Sequence, residues 1–159
     1  MNLPELKIGK LVAQVPIIQG GMAIRLSTAP LAAAVANEGG IGLIAASGMG
    51  LDELRKEIRM ARELTGGKGI IGINAMVAAR QFLDLITTAA EEGIDLIVAG
   101  AGFSRDIFAV GKKYGVEVVP IVSSARLAQT AEKLGASAVV VEGTEAGGHL
   151  GTQQSIKEI

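Results

Sequence analysis

The chain has 159 residues, enough for one hydrophobic core, and is 49% hydrophobic against 19% charged, which excludes a disordered segment. A formal net charge of -1 with dispersed Lys and Arg lacks the basic face of a nucleic-acid binder. Cysteine is absent, excluding disulfides and thiolate metal sites, and the 3% aromatic content suits buried parallel strands under close-packed helices better than a sandwich.

In chain order, MNLPELKIGK lacks an apolar run with a small-residue cleavage site, so no secretory leader is expected there. The longest apolar stretch, LAAAVANEGGIGLIAA, is broken by Asn37, Glu38 and glycines, well short of the roughly eighteen apolar residues a membrane span needs. A soluble, cytoplasmic protein is the expectation. Strands are predicted at 15–20 (VPIIQG), 40–46, 69–74, 95–100, 116–122 and 136–143. Each run is continuously apolar rather than alternating, the pattern of parallel strands covered on both faces. Helices are predicted between them at 28–38, 51–64, 80–92, 104–114 and 125–134. Ser27 precedes the first, Ser123 or Ser124 caps the last, and Gly135 ends it. The charged run LDELRKEIRMARE reads as a solvated helix face without functional message. Its i,i+4 pairs include Asp52–Lys56 and the mildly unfavourable Glu53–Glu57.

Strands alternating with helices through right-handed crossovers admit a doubly wound open sheet or a barrel. Polar or glycine residues close nearly every strand: Gln19, Ser47, Asn74, Gly100, Ser123 and Glu142. In a barrel such ends converge on one rim, whereas an open sheet spreads them along an edge. The expected fold class is therefore α/β, a TIM-barrel type (β/α)8, incomplete with about six βα units, in a single domain over residues 1–159. An incomplete barrel exposes a sheet edge. Truncation of a longer protein is the simpler account, and a homo-oligomer covering the open edge is the alternative.

Several strand exits carry residues suited to a ligand. Gln19-Gly20-Gly21-Met22 places paired glycines after a strand, where backbone can approach a ring or phosphate closely; a plain turn with Met22 as a plug is the competing reading. Asn74 could join Gln19 in presenting donors and acceptors to a heterocycle, although turn formation also accounts for it. AGAGFSRD (99–106) is a glycine-rich strand exit that could lie over a ligand, although it reads first as a simple loop. The strongest local signal is EGTEAGGHLG, in which Glu142 ends a strand, glycines surround the loop, and His149 is the sole histidine. A lone histidine is more often structural than catalytic, but between glycines it has no apolar stripe to complete. One histidine without cysteine makes zinc a poor fit, so no metal site is expected. No GxGxxG, GxxxxGK[ST] or GxSxG occurs.

Taken together, VPIIQGGM, LAAAVANEGGIGLIAA, GINAMVA, DLIVAGAG, VPIVSSAR and VVVEGTEAGGHLG resemble the nitronate monooxygenase family. They are similar also to the flavin-dependent enoyl-acyl-carrier-protein reductases. The resemblance implies an FMN-binding TIM barrel, with Gln19, Gly20, Gly21, Met22, Asn74, Glu142, Gly147 and Gly148 at the flavin and His149 as the catalytic residue. It implies FMN-dependent oxidation of an alkyl nitronate by dioxygen to a carbonyl compound and nitrite. NAD(P)H-dependent reduction of an enoyl thioester is the alternative, and a catalytically inactive half-barrel acting as an assembly partner is the third. The family's later strands, whose glycine-rich turns hold the FMN phosphate, have no counterpart here, so weak or absent FMN binding is expected of this chain alone.

Overall fold

A computed structural model describes residues 3–148 and 150–159. Its first element was not anticipated: strands β1 (Leu6–Ile8) and β2 (Leu11–Ala13) form an antiparallel hairpin, with Leu6 opposite Ala13 and Ile8 opposite Leu11. Gly9 and Lys10 make the turn, and Gly9 holds φ +55°, a conformation glycine adopts without a side-chain penalty. The Glu117 carboxylate accepts from the Lys10 N–H at 3.0 Å and from the Ser137 hydroxyl, bolting the hairpin across the barrel floor.

The remainder alternates strand and helix: α1 (Ala29–Asn37), β3 (Ile41–Ala45), α2 (Leu51–Leu64), β4 (Ile70–Met76), α3 (Phe82–Glu91), β5 (Leu96–Gly100), α4 (Asp106–Tyr114), β6 (Glu117–Val122), α5 (Ala125–Lys133) and β7 (Val140–Val141). Strands β3 to β7 form one five-stranded parallel sheet in sequence order. The result is an incomplete (β/α) barrel, a curled, open sheet with five helices packed against it. Unbroken neighbour order is what a barrel wall requires, and a doubly wound sheet would reverse it at a switch point. The β7 edge of the sheet is open, an arrangement consistent with an oligomeric interface, while the β3 edge is met by the chain that precedes α1. Among the described residues, no helix is long and apolar enough to cross a membrane.

Strand alternation divides the core into two layers. Ile44, Ile71, Ile73, Ile97, Ala99 and Val118 face outward against the helices. Ile41, Leu43, Leu96, Val98 and Val119 face inward and meet Ile8 and Ala13 of the hairpin. Each fully buried isoleucine contributes about 1.5–3 kcal/mol of burial free energy. Helix α1 lies so close to β3 that a Cβ on Gly42 would overlap the Ala32 carbonyl oxygen and sit 2.7 Å from its Cα.

Two predicted strands are shortened. Residues 15–20 form only a single bridge, Ile18 to Ile41. The chain leaves the ladder at Gln19, whose side chain takes over the next bond: Leu43 N–H donates to Gln19 Oε1 at 3.2 Å. The predicted strand at 136–143 contracts to β7, which has one neighbour and sits on the open edge. The cap of α5 is Ser124, accepting from the Leu127 N–H at 3.3 Å. Ser27 caps nothing; Thr28 holds the N-cap position of α1, and the Ser27 hydroxyl turns inward.

Candidate active site

The C-terminal ends of β3, β4, β5, β6 and β7 open onto one cleft of about 810 Å³, within the range of small-molecule sites. Its floor is the inward-facing row Leu43, Ala45, Asn74, Val98, Ile121 and Val140, which is apolar apart from one amide. Seven of the predicted contacts converge there: Gly20, Gly21 and Met22 from the first loop, Asn74 from β4, and Glu142, Gly147 and Gly148 from the loop after β7. Gln19 is not on the cleft wall, and its amide is already committed to protein partners. His149 lies outside the described residues.

The glycines of the first loop differ in kind. A Cβ on Gly21 would overlap the Asn74 Cβ and sit 2.9 Å from its Cγ, so Gly21 lets the loop lie directly on Asn74. A Cβ on Gly20 would meet no protein atom within 4 Å, and Gly20 is not in the left-handed region. The fold does not require glycine at position 20, and the same holds at Gly147. Both positions leave backbone accessible to a flat ligand. The Asn74 amide makes no hydrogen bond within the described residues, so its donors and acceptor are available to the cleft.

The first loop is held from three sides. Ser27, fully buried, accepts from the Met22 N–H at 2.9 Å and from Gln19 Nε2 at 2.9 Å, and donates to the Gly20 carbonyl at 3.2 Å. Arg25, in the left-handed region at φ +60°, makes a paired contact with Glu53 of α2, Nε to Oε1 at 2.9 Å and Nη2 to Oε2 at 3.1 Å. The Arg25 hydrogen bond holds the Glu53 carboxyl below its ordinary range, helped by the Gly50 N–H and opposed by partial desolvation. Glu57 accepts from the Ala29 N–H at 2.6 Å, at the positive end of α1.

The charged face of α2 therefore has a function the pattern concealed. Its glutamates do not repel each other along the helix but reach separate partners beside the cleft. On the far rim, Glu142 Oε1 accepts from the Gly151 N–H at 3.1 Å, and Ser123 donates to the Gly151 carbonyl at 3.1 Å. Ala101, the residue after β5, lines the cleft at φ +52°, a strained conformation of the kind that clusters at functional sites. Ser47, named among the strand-closing residues, and Ala101, within the 99–106 stretch, both line the cleft, while Met76 was missed although it ends β4.

A curled parallel wall with a glycine-lined apolar cleft at its strand C-termini is the arrangement of an incomplete (β/α) barrel with a ligand site at the usual rim. The chain belongs to the nitronate monooxygenase family, whose model matches residues 5–99 and 81–158. Among solved structures it is similar to FabK from Thermotoga maritima, with a TM-score of 0.84 and 37% identity over 90% of this chain and 45% of that one. Among curated proteins it is 32% identical to the (3aS,4S,5R,7aS)-5-hydroxy-7a-methyl-1-oxo-octahydro-1H-indene-4-carboxyl-CoA dehydrogenase of Mycobacterium tuberculosis, covering 86% of this chain and 38% of that protein. It is also 32% identical to the nitronate monooxygenase of Paraburkholderia phytofirmans, covering 94% of this chain and 49% of that protein. The chain thus spans about half, or less, of the length of these relatives.

The two curated alignments differ in one physical respect. That with the dehydrogenase runs over 136 positions and takes in 86% of 159 residues, so it is essentially free of gaps. That with the monooxygenase runs over 186 positions but takes in 94% of the same chain, so more than thirty of its positions have no counterpart here.

Proposed function

We propose that the chain carries the flavin-ring side of an FMN-dependent oxidoreductase whose substrate is an acyl thioester, reduced or oxidised at the carbon–carbon bond beside its carbonyl. The observation that carries this choice is the gap-free match to the indene-4-carboxyl-CoA dehydrogenase of Mycobacterium tuberculosis, joined by the 37% identity to FabK. Nitronate oxidation, the first expectation from the motifs, is supported by the family model and by the Paraburkholderia enzyme. The alignment with that enzyme, however, includes more than thirty positions without a counterpart in this chain.

The residues fit a flavin. Gly20 and Gly147 give open backbone, Gly21 seats the loop on Asn74, and the walls are apolar enough to exclude water from a ring face. When bound, FMN supplies the electron and hydride chemistry. The protein's part is to bind, orient and move protons. The free Asn74 amide offers two donors and an acceptor to ring heteroatoms. Met22 and Leu26 supply apolar contacts at the mouth. Glu142 fixes the rim by holding the Gly151 N–H. His149 follows Gly147 and Gly148 of the cleft wall, and it is proposed to deliver or receive the substrate proton, a task suited to a group titrating near neutrality.

The test is a paired assay on the purified chain supplied with FMN: NADPH consumption with an enoyl thioester against oxygen uptake with an alkyl nitronate. Thioester-dependent nicotinamide consumption supports the proposal. Nitronate-dependent oxygen uptake without it would overturn the thioester assignment, and a chain that in large excess alters the absorption band of neither FMN nor riboflavin, which needs no phosphate grip, would overturn the flavin assignment.

A further inference from the structure

We infer that Ser27 is a positioning residue that sets the height of the Gly20–Met22 backbone at the cleft; the inference rests on the flavin reading for its consequence, not for its geometry. Every polar group of Ser27 is used. Its N–H donates to the Met22 carbonyl at 3.0 Å, and its carbonyl accepts from the Ala45 N–H of β3 at 2.8 Å. Its hydroxyl makes the bonds to Gly20, Met22 and Gln19 described above, filling the one donor and two acceptors a hydroxyl has. The side chain is fully buried, so none of these bonds is exchanged for water.

This hub exists because β3 has no full strand on its outer side. The Ile41 N–H bonds the Ile17 carbonyl at 2.9 Å, the Leu43 N–H takes the Gln19 side chain, and the Ala45 N–H takes the Ser27 carbonyl. Backbone, side chain and backbone thus complete one edge in turn. The chain between Gln19 and Ser27 is released from the ladder and arches over the cleft, with the Ser27 hydroxyl gripping it at both Gly20 and Met22. Remove the hydroxyl and the edge remains paired through the backbone, while of its ties to Ser27 the arch keeps only the N–H bond to the Met22 carbonyl. Ser27 thus controls the arch separately from the sheet.

The experiment compares the wild-type chain with Ser27→Ala and, as a second variant, Gln19→Met, which removes a donor to the hydroxyl and the acceptor of the Leu43 N–H on the β3 edge but leaves the two loop bonds of the hydroxyl. Amide hydrogen exchange reads the Met22 N–H against the β3 and β5 amides of Ile44 and Ile97, and an FMN titration reads affinity and the flavin absorption band. In Ser27→Ala the Met22 amide should lose about ten-fold or more of its protection with the strand amides unchanged, because one buried bond is removed without unfolding. FMN should bind about ten-fold more weakly with an altered band, and Gln19→Met should show a smaller loss in both. Equal loss of protection at Met22, Ile44 and Ile97 would reduce Ser27 to a stability residue, and unchanged FMN affinity in Ser27→Ala would overturn its positioning of the site. If wild type itself takes up neither FMN nor riboflavin, the flavin reading fails, while the exchange pattern still decides whether Ser27 holds the arch.

Discussion

The two adjacent glycines of the first loop separate folding from ligand contact, and alanine at each tests the separation. At Gly21 the added methyl would overlap the Asn74 Cβ and stand 2.9 Å from its Cγ. Carbon atoms are comfortable at about 3.5–4.0 Å, so loop and strand must move apart by on the order of 1 Å. Such overpacking costs about 1–3 kcal/mol, or roughly 2–10 °C in melting temperature for a chain of this size. At Gly20 the methyl meets nothing within 4 Å, and the backbone needs no left-handed φ. Gly20→Ala should therefore leave stability unchanged or raise it by about 0.4–1 kcal/mol through a stiffer unfolded chain. Its effect should fall on the ligand: a ring lying against Gly20 is pushed off, and FMN affinity drops by about ten-fold, equivalent to about 1.4 kcal/mol. Thermal unfolding and an FMN titration on both variants give four numbers. A Gly20→Ala chain that binds FMN as tightly as wild type would refute the assignment of the first loop to the flavin. A Gly21→Ala chain of undiminished stability would refute the close seating on Asn74.

Acid should loosen the arch before it unfolds the barrel. Because the Glu53 carboxyl is held below its ordinary value, mainly by Arg25, its contribution is complete above the usual glutamate range near about 4.3 and is lost as pH falls through the lowered folded value. Amide exchange around Arg25 should therefore rise on acidification in wild type, and Glu53→Gln should show the looser state at neutral pH without the acid step. Gly42→Ala, forced against the Ala32 carbonyl, should pry α1 from the sheet and give an aggregated or molten chain by near-ultraviolet circular dichroism. Glu117→Ala strips an acceptor from the Lys10 N–H and Ser137, and should cost about 1–3 kcal/mol in denaturant unfolding, with exchange rising first in the hairpin.

Much of the architecture was legible from local pattern. Continuous apolar runs such as DLIVAG and VEVVPIV became central parallel strands because residues covered on both faces have no polar alternation to keep. The hairpin was overlooked although LKIGKLVA carries its signal, apolar residues on both sides of a Gly-Lys turn; three-residue strands are too short to stand out beside longer ones. The site was legible where it depended on strand ends. Asn74 stands two residues before the end of β4, which runs on past the predicted end at 74, and Glu142 follows β7, so parallel order alone brings them to one rim. Gln19 also follows a β-like run, yet it serves the β3 edge, because an unpaired Leu43 N–H claimed its carbonyl oxygen.

By itself the sequence determined the alternation of strand and helix, the single layer order and the glycine-rich rim, since each follows from the burial and backbone freedom of neighbouring residues. Only the tertiary structure decided which polar groups are spent on the fold and which are left for a ligand. Glu53 and Glu57, four residues apart on one helix, looked like a repelling pair until Arg25 and the Ala29 N–H arrived from a distant loop. Ser27 looked like a helix cap until the arch closed around its hydroxyl. Hydrogen-bond ownership is settled by whichever donor or acceptor the folded chain brings within about 3 Å, and sequence neighbourhood does not encode that distance.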